Sequence, residues 1–226
     1  REFIGDVAHE LKTPIFNIQG YIYTLIDGGL YDEKINKKYL RKAQKNINRM
    51  IRMVEDLDLI TQLESGQLTV IKKRFSLHQI IEEAIEEVEL RAMEKDIAIQ
   101  YNRPKEELWA HAEKEHILRV LINLISNSVK YGKKMGRTEI SVNQQANSDK
   151  YLIKVKDNGI GIKKEDLPHI FARFYRVDKS RSRNEGGSGL GLSIVKHILE
   201  VHGETISVES TFGEGTSFQF SVLKSN

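Results

Sequence analysis

The chain has 226 residues, 39% of them hydrophobic and 30% charged, with 16 Gly, 3 Pro and no Cys. That balance is globular rather than disordered or collagen-like, and the length allows one or two domains. The absent cysteines exclude a disulfide scaffold, a thiolate metal site and a cysteine nucleophile, and Lys+Arg 35 against Asp+Glu 32, a formal +3, is too even for a nucleic-acid-coating surface.

No run of about 18 apolar residues is present to span a bilayer, and no signal peptide opens the chain. It begins at Arg1 already in helical pattern, which reads as a piece of a longer chain. Ile4, Ala8, Leu11, Ile15, Ile18, Ile22 and Leu25 follow one another at spacings of four and three, the seam of a heptad helix. Asp27-Gly28-Gly29 breaks it. Leu40, Ala43, Ile47, Met50, Val54 and Leu57 form a second seam. Two such helices predict an antiparallel hairpin. Two helices bury little, so the hairpin is expected to pair with a second copy as a four-helix bundle. Packing against its own C-terminal domain is the alternative.

Ser65-Gly66 ends the second helix and sets the predicted boundary, with one domain over 1–65 and another over 66–226. After it the pattern becomes mixed. Val70-Ile71 through Phe75 reads as a strand, and Ser76 to about Lys95 as a helix capped by Ser76. Ile97–Tyr101 and Leu108–His111 read as strands, Glu115–Tyr131 as a strongly apolar helix. Thr138–Gln144 and Tyr151–Lys156 read as a hairpin around Asn147-Ser148-Asp149. Leu192–Val201 is a helix, and Thr205–Glu209 pairs with Ser217–Leu223. The polar stretch Asp178–Ser188 looks like a mobile loop.

Four constellations carry chemistry. In His9-Glu10-Leu11-Lys12-Thr13-Pro14 the seam residues are Ala8 and Leu11, so His9 and Glu10 are expected to point outward, with Thr13 one turn on from His9. A neutral imidazole beside a carboxylate suits a phosphoacceptor: one nitrogen attacks while the carboxylate holds the proton of the other. An ordinary solvated His–Glu pair is the alternative. Pro14 removes one helical hydrogen bond and can bend the helix. Asn123, Asn127, Lys130 and Tyr131 share one helical face, within an arc of about 100° at 3.6 residues per turn. They offer two neutral oxygens for a hard cation such as Mg²⁺, an ammonium for phosphate and a flat ring for a base. A plain polar stripe is the alternative. Asp157-Asn158-Gly159-Ile160-Gly161 follows a strand; its glycines admit close approach, and Asp157 can accept from an exocyclic amine. Gly186-Gly187-Ser188-Gly189-Leu190-Gly191 opens a helix with unhindered amides, suited to phosphate, although it fits neither the dinucleotide nor the P-loop spacing.

Together these segments resemble the boxes of a sensor histidine kinase. His9–Pro14 looks like its H-box, Asn123–Tyr131 its N-box, Asp157–Gly161 its G1 box, Phe171–Tyr175 its F-box and Gly187–Leu192 its G2 box. They occur in family order, nearest to the PhoR-like class with a HisKA-type dimerisation domain.

The resemblance implies an antiparallel helical hairpin forming a dimeric four-helix bundle, followed by a Bergerat-type α/β sandwich that binds ATP with Mg²⁺. It implies His9 as phosphoacceptor, Glu10 as its acid–base partner, and Thr13 at the position linked to dephosphorylating the partner. Asn127, with Asn123, would position the metal, Lys130 would meet phosphate, and Tyr131 would stack near adenine. Asp157 would take the adenine amine, between Gly159 and Gly161. Gly187, Gly189 and Gly191 would flank the phosphates, Arg176 would reach the γ-phosphate, and Asp178–Ser188 would be the ATP lid. The expected partners are a second copy and the receiver domain of a response regulator. No nucleic acid and no membrane contact by this fragment are expected. Its expected place is the cytoplasmic portion of a membrane-anchored bacterial sensor. His202-Gly203-Glu204, where many relatives carry a second glycine, and the short lead before His9 depart from the pattern. A plain Bergerat ATPase and a non-catalytic nucleotide-responsive scaffold remain the alternative readings.

Overall fold

Helix α1 (Glu2–Ile26) continues through Pro14, and α2 (Glu33–Glu64) returns beside it. The turn follows from its residues. Gly28 takes φ 99°, which a side chain disfavours, Gly29–Tyr31 forms one 3₁₀ turn, and the Asp32 carboxylate caps α2 by accepting from Lys34 N at 2.8 Å. The computed structural model describes residues 2–66, 70–144, 148–177 and 187–225, with the side chains of 2 and 3 outside that description.

The two heptad seams each divide. Leu11, Ile18 and Leu25 of α1 and Ala43, Met50 and Leu57 of α2 are buried or half-buried. The alternate members, Ile15 and Ile22 of α1 and Leu40, Ile47 and Val54 of α2, stay exposed. A third set on α2, Met53, Ile60 and Leu63, is buried in the same apolar cluster as Ile194, Val195 and Ile198 of the second unit. Each such side chain contributes about 1.5–3 kcal/mol when fully covered. The alternative expectation therefore holds for one face of α2, which packs on its own chain.

Beyond Gly66, β1 (Lys73–Ser76) pairs antiparallel with β3 (Trp109–Ala112). The expected strand starts two to three residues late, because Ile71 N donates to the Glu113 carboxylate at 2.8 Å instead of to a neighbouring strand. Ser76 caps α3 (Leu77–Glu94), its hydroxyl accepting from Gln79 N at 3.4 Å. Strands β2 (Ala98–Asn102), β4 (Arg137–Gln144), β5 (Lys150–Asp157), β6 (Ile206–Thr211) and β7 (Gly215–Leu223) form a sheet of order β2-β4-β5-β7-β6, parallel only between β2 and β4.

Alternate residues of β4 and β5, among them Ile140, Val142, Ile153 and Val155, are buried, so one face of the sheet carries the core. α3, α4 (Lys114–Tyr131) and α5 (Gly191–Val201) cover it. The result is the expected two-layer α/β sandwich behind a helical hairpin. Among the described residues no helix is long and apolar enough to cross a membrane. Asn147, one of the residues around which the β4–β5 hairpin is expected to turn, lies outside the described residues.

Candidate functional site

Helix α4 is the element on which the sequence motifs meet. Its apolar face, with Leu121, Leu124 and Ile125, is buried, which turns Asn123, Asn127, Lys130 and Tyr131 toward a cleft of about 990 Å³. Gly187, Gly189, Gly191 and Arg176 line the same cleft, as do Arg49 and Asp56 of α2. Asn123 donates its amide to Arg119 O at 2.9 Å, so its Oδ1 is turned to Gly191, where a Cβ would stand 2.6 Å away. A Cβ on Gly187 would collide with Lys130 Nζ. The ammonium of Lys130 lies 4.8 Å from the Tyr131 ring centroid. The glycine segment therefore lies directly on the polar stripe of α4.

The second wall is on the far side of Tyr131. Asp157, buried at the end of β5, accepts from Gly159 N at 2.8 Å and Thr216 N at 3.3 Å, both at Oδ1. Burial pushes its carboxyl above the usual carboxylate range, against the pull of those two amides. Ile160 N donates to Tyr131 O at 3.1 Å, which fixes this loop on the end of α4. Gly161 has φ 67°, and a Cβ there would run into the Thr211 carbonyl. Asp157, Gly159 and Gly161 do not line the large cleft; Tyr131 is the residue that touches both regions.

At the hairpin, the imidazole of His9 is 68% exposed and its Nδ1 stands 3.9 Å from Glu10 Oε1. Thr13 is half-buried. Glu10 departs from the expectation that it points outward, being only 15% exposed. Its Oε2 meets Arg49 Nη2 at 3.4 Å and also receives Arg176 Nη2. Heptad position describes an isolated hairpin, and here the second unit packs against that side and brings Arg176 with it. Arg176 is 4% exposed, donates to Ser188 O at 2.9 Å, and its Nε is buried with no hydrogen-bond partner among the described residues.

Sequence reasoning missed Arg49, Arg119 and Asp56. Asp56 on α2 pairs with Arg119 Nη2 at 2.5 Å and accepts from Ser188 Oγ at 3.3 Å. Burial raises the Asp56 carboxyl, and Arg119 opposes that rise. Glu64 meets Arg173 and His197, the latter at 2.9 Å. The one local signal for Arg49 was its place next to the seam residue Met50; the others are long-range pairs. Residues 178–186 of the expected lid, Gly186 of the glycine-rich motif among them, lie outside the described residues.

Among the described residues no group of three or more His, Asp or Glu side chains is placed to hold a metal ion. The two Asn oxygens of α4 suit a hard cation that takes its remaining ligands from phosphate and water, so the donor set fits Mg²⁺ brought in with a nucleotide.

Residues 1–66 match the family described as the His Kinase A (phospho-acceptor) domain, and 112–226 match the Histidine kinase-, DNA gyrase B-, and HSP90-like ATPase family. The sensor histidine kinase WalK of Bacillus subtilis (strain 168) is 34% identical over 98% of this chain and 36% of its own length. The chain thus spans about a third of that curated relative. The fold is similar to Acinetobacter baumannii histidine kinase AdeS, with TM-score 0.73, 26% identity, and 96% of this chain and 98% of that one covered. It is similar also to histidine kinase ThkA in complex with response regulator protein TrrA, with TM-score 0.75, 27% identity, and 99% and 61% covered.

Proposed function

The chain belongs to the sensor histidine kinase family, and on that premise we propose that it binds Mg²⁺–ATP in the α4 cleft, phosphorylates itself on His9 and passes the phosphoryl group to an aspartate of a response regulator. One observation carries this reading: Arg49 and Arg176 line the cleft and both touch Glu10, whose other oxygen faces His9. The nucleotide cleft and the phosphoacceptor are therefore contiguous.

Residues 1–65 act as the dimerisation and phosphotransfer domain and 66–226 as the ATP-binding domain. Asp157 accepts from the adenine amine, with Gly159 and Gly161 shaping that wall and Tyr131 beside the base. Lys130 and the amides of Gly187, Gly189 and Gly191 meet the phosphates. Asn127 and Asn123 hold Mg²⁺, which neutralises charge on the phosphate oxygens when bound. Arg176 turns its unpaired Nε to the γ-phosphate. His9 Nε2 attacks the γ-phosphorus, a nitrogen–phosphorus bond forms, and ADP departs with the electrons of the broken oxygen–phosphorus bond. Glu10 Oε1 holds the Nδ1 proton of the charged ring, closing from 3.9 Å to hydrogen-bond distance in the reactive complex.

The exposed strings Ile15–Ile22 and Leu40–Ile47–Val54 support a second copy of this chain as partner. Thr13 orients a water for removal of phosphate from the regulator, and the parent protein is a membrane-anchored sensor with this part in the cytoplasm. The test is incubation with γ-labelled ATP and Mg²⁺. Acid-labile, alkali-stable label that is lost in His9→Gln supports the kinase. ATP turnover without labelled protein supports a plain ATPase, and nucleotide binding with neither supports a scaffold. Thr13→Ala is expected to spare labelling and slow removal of phosphate from the regulator; equal loss of both sinks that role.

A further inference from the structure

Glu10 is held by two arginines that reach the same oxygen. Arg49 Nη2, on α2, stands 3.4 Å from Glu10 Oε2, and Arg176 Nη2 also meets Oε2. Oε1 is thereby left to His9 Nδ1, at 3.9 Å. The two arginines differ in where they are anchored. Arg176 belongs to the ATP-binding unit and also donates to the Ser188 carbonyl of the glycine-rich segment. Arg49 lies on the same hairpin as Glu10, with its side chain only 10% exposed. A guanidinium at that depth cannot shed its charge, and it needs an anion.

We propose that Arg49 is the positioning residue of the phosphoacceptor: it anchors Glu10 Oε2 within the hairpin, so that Oε1 stays aimed at His9 Nδ1 when Arg176 leaves for the nucleotide. This rests on the kinase reading above. The reason Arg49 has to do this is geometric. Glu10 is an unbranched side chain with three rotatable bonds, and α1 alone offers it no fixed orientation. The Arg176 guanidinium is one rigid plane, so turning its Nε to a γ-phosphate swings Nη2 away from Glu10 Oε2. Arg49 keeps the carboxylate in place across the exchange.

The experiment measures autophosphorylation on the full chain, with ATP KM, thermal melting and ADP affinity followed in parallel. Arg49→Gln is expected to lower kcat about 10- to 100-fold, the scale of a side chain misplaced by about 1 Å. KM for ATP, ADP affinity and melting temperature are expected to stay near wild type. Arg49→Lys, which keeps the charge but not the fork, is expected to fall between. In a Glu10→Gln background, Arg49→Gln is expected to add less than about a further twofold, because the group it positions is already gone. A merely structural arginine gives the opposite pattern: losses that multiply in the double variant, or a fall in stability that tracks the fall in kcat. Either pattern, or wild-type kcat in Arg49→Gln, overturns the proposal. If Arg49→Gln does not fold, the comparison of Arg49→Lys with and without Glu10→Gln decides in the same way. Wild-type chain that never labels on His9 refutes the kinase reading itself, which is a separate result.

Discussion

Replacing Asp157 by asparagine exchanges one oxygen for one nitrogen at the wall assigned to adenine. Oδ1 of Asp157 accepts from Gly159 N at 2.8 Å and Thr216 N at 3.3 Å. A carboxamide oxygen can accept both, so the loop stays tied to β5. The second position changes from acceptor to donor and now faces the donor amine of adenine. A hydrogen bond to a charged group is worth about 1.5–3 kcal/mol, so ATP affinity is expected to fall roughly 10- to 150-fold. Stability moves the other way. Burial raises the Asp157 carboxyl above its ordinary value of 3.8, so its contribution to stability is full below that pH and is lost as pH rises through the folded value. Asparagine never ionises, and the nucleotide-free variant is expected to melt at or above the wild-type temperature at neutral pH. Wild-type affinity for ADP is expected to weaken as pH falls through the raised value, since the adenine amine needs the ionised form; the variant is expected to lack that slope. Calorimetric titration with ADP at neutral and mildly acidic pH, with melting curves alongside, reads all of this. Affinity within about threefold of wild type, at unchanged stability, refutes the adenine assignment. A large fall in melting temperature refutes the anchoring at Oδ1.

Three further outcomes are expected. Burial lowers the titration of His116 and His202, whose rings meet edge to face at 5.5 Å. A histidine with a lowered folded pKa stabilises above its ordinary 6.5, and that stability is lost as pH falls through the folded value. His116→Phe keeps the ring contact and is expected to lose less melting temperature between pH 7 and pH 5 than wild type. Ile22→Asp and Ile47→Asp each place a charge in an exposed apolar string and are expected to weaken self-association by about 100-fold or more in sedimentation. Unchanged association removes that face as the interface. Gly161→Ala forces a side chain to φ 67° against the Thr211 carbonyl and is expected to cost at least about 1–2 kcal/mol of stability, together with ADP binding.

Much of the fold was legible because its signals are local. The period of Glu115–Tyr131, the alternation of β4 and β5, and Ser76 as a cap each depend on a few neighbouring residues, and each element formed within a residue or two of its expected bounds. The polar stripe of α4 was legible for the same reason. The surroundings of Glu10 were not. Its partners Arg49 and Arg176 lie 39 and 166 residues away, and helical position alone assigned it to solvent. Val70–Ile71 shows the same limit, since a carboxylate 42 residues on, that of Glu113, takes the Ile71 amide the strand would have used. Asp56 and Arg119 carry no local signal, because their pairing depends on α2 and α4 meeting.

Helix α2 has two apolar stripes with different customers. Met53, Ile60 and Leu63 grip the ATP-binding unit, while Leu40, Ile47 and Val54 remain open to a second chain. With a second chain on the open stripe, domain docking and self-association would share one helix, and by reciprocity any effect of either contact on the other's affinity is returned by the same factor.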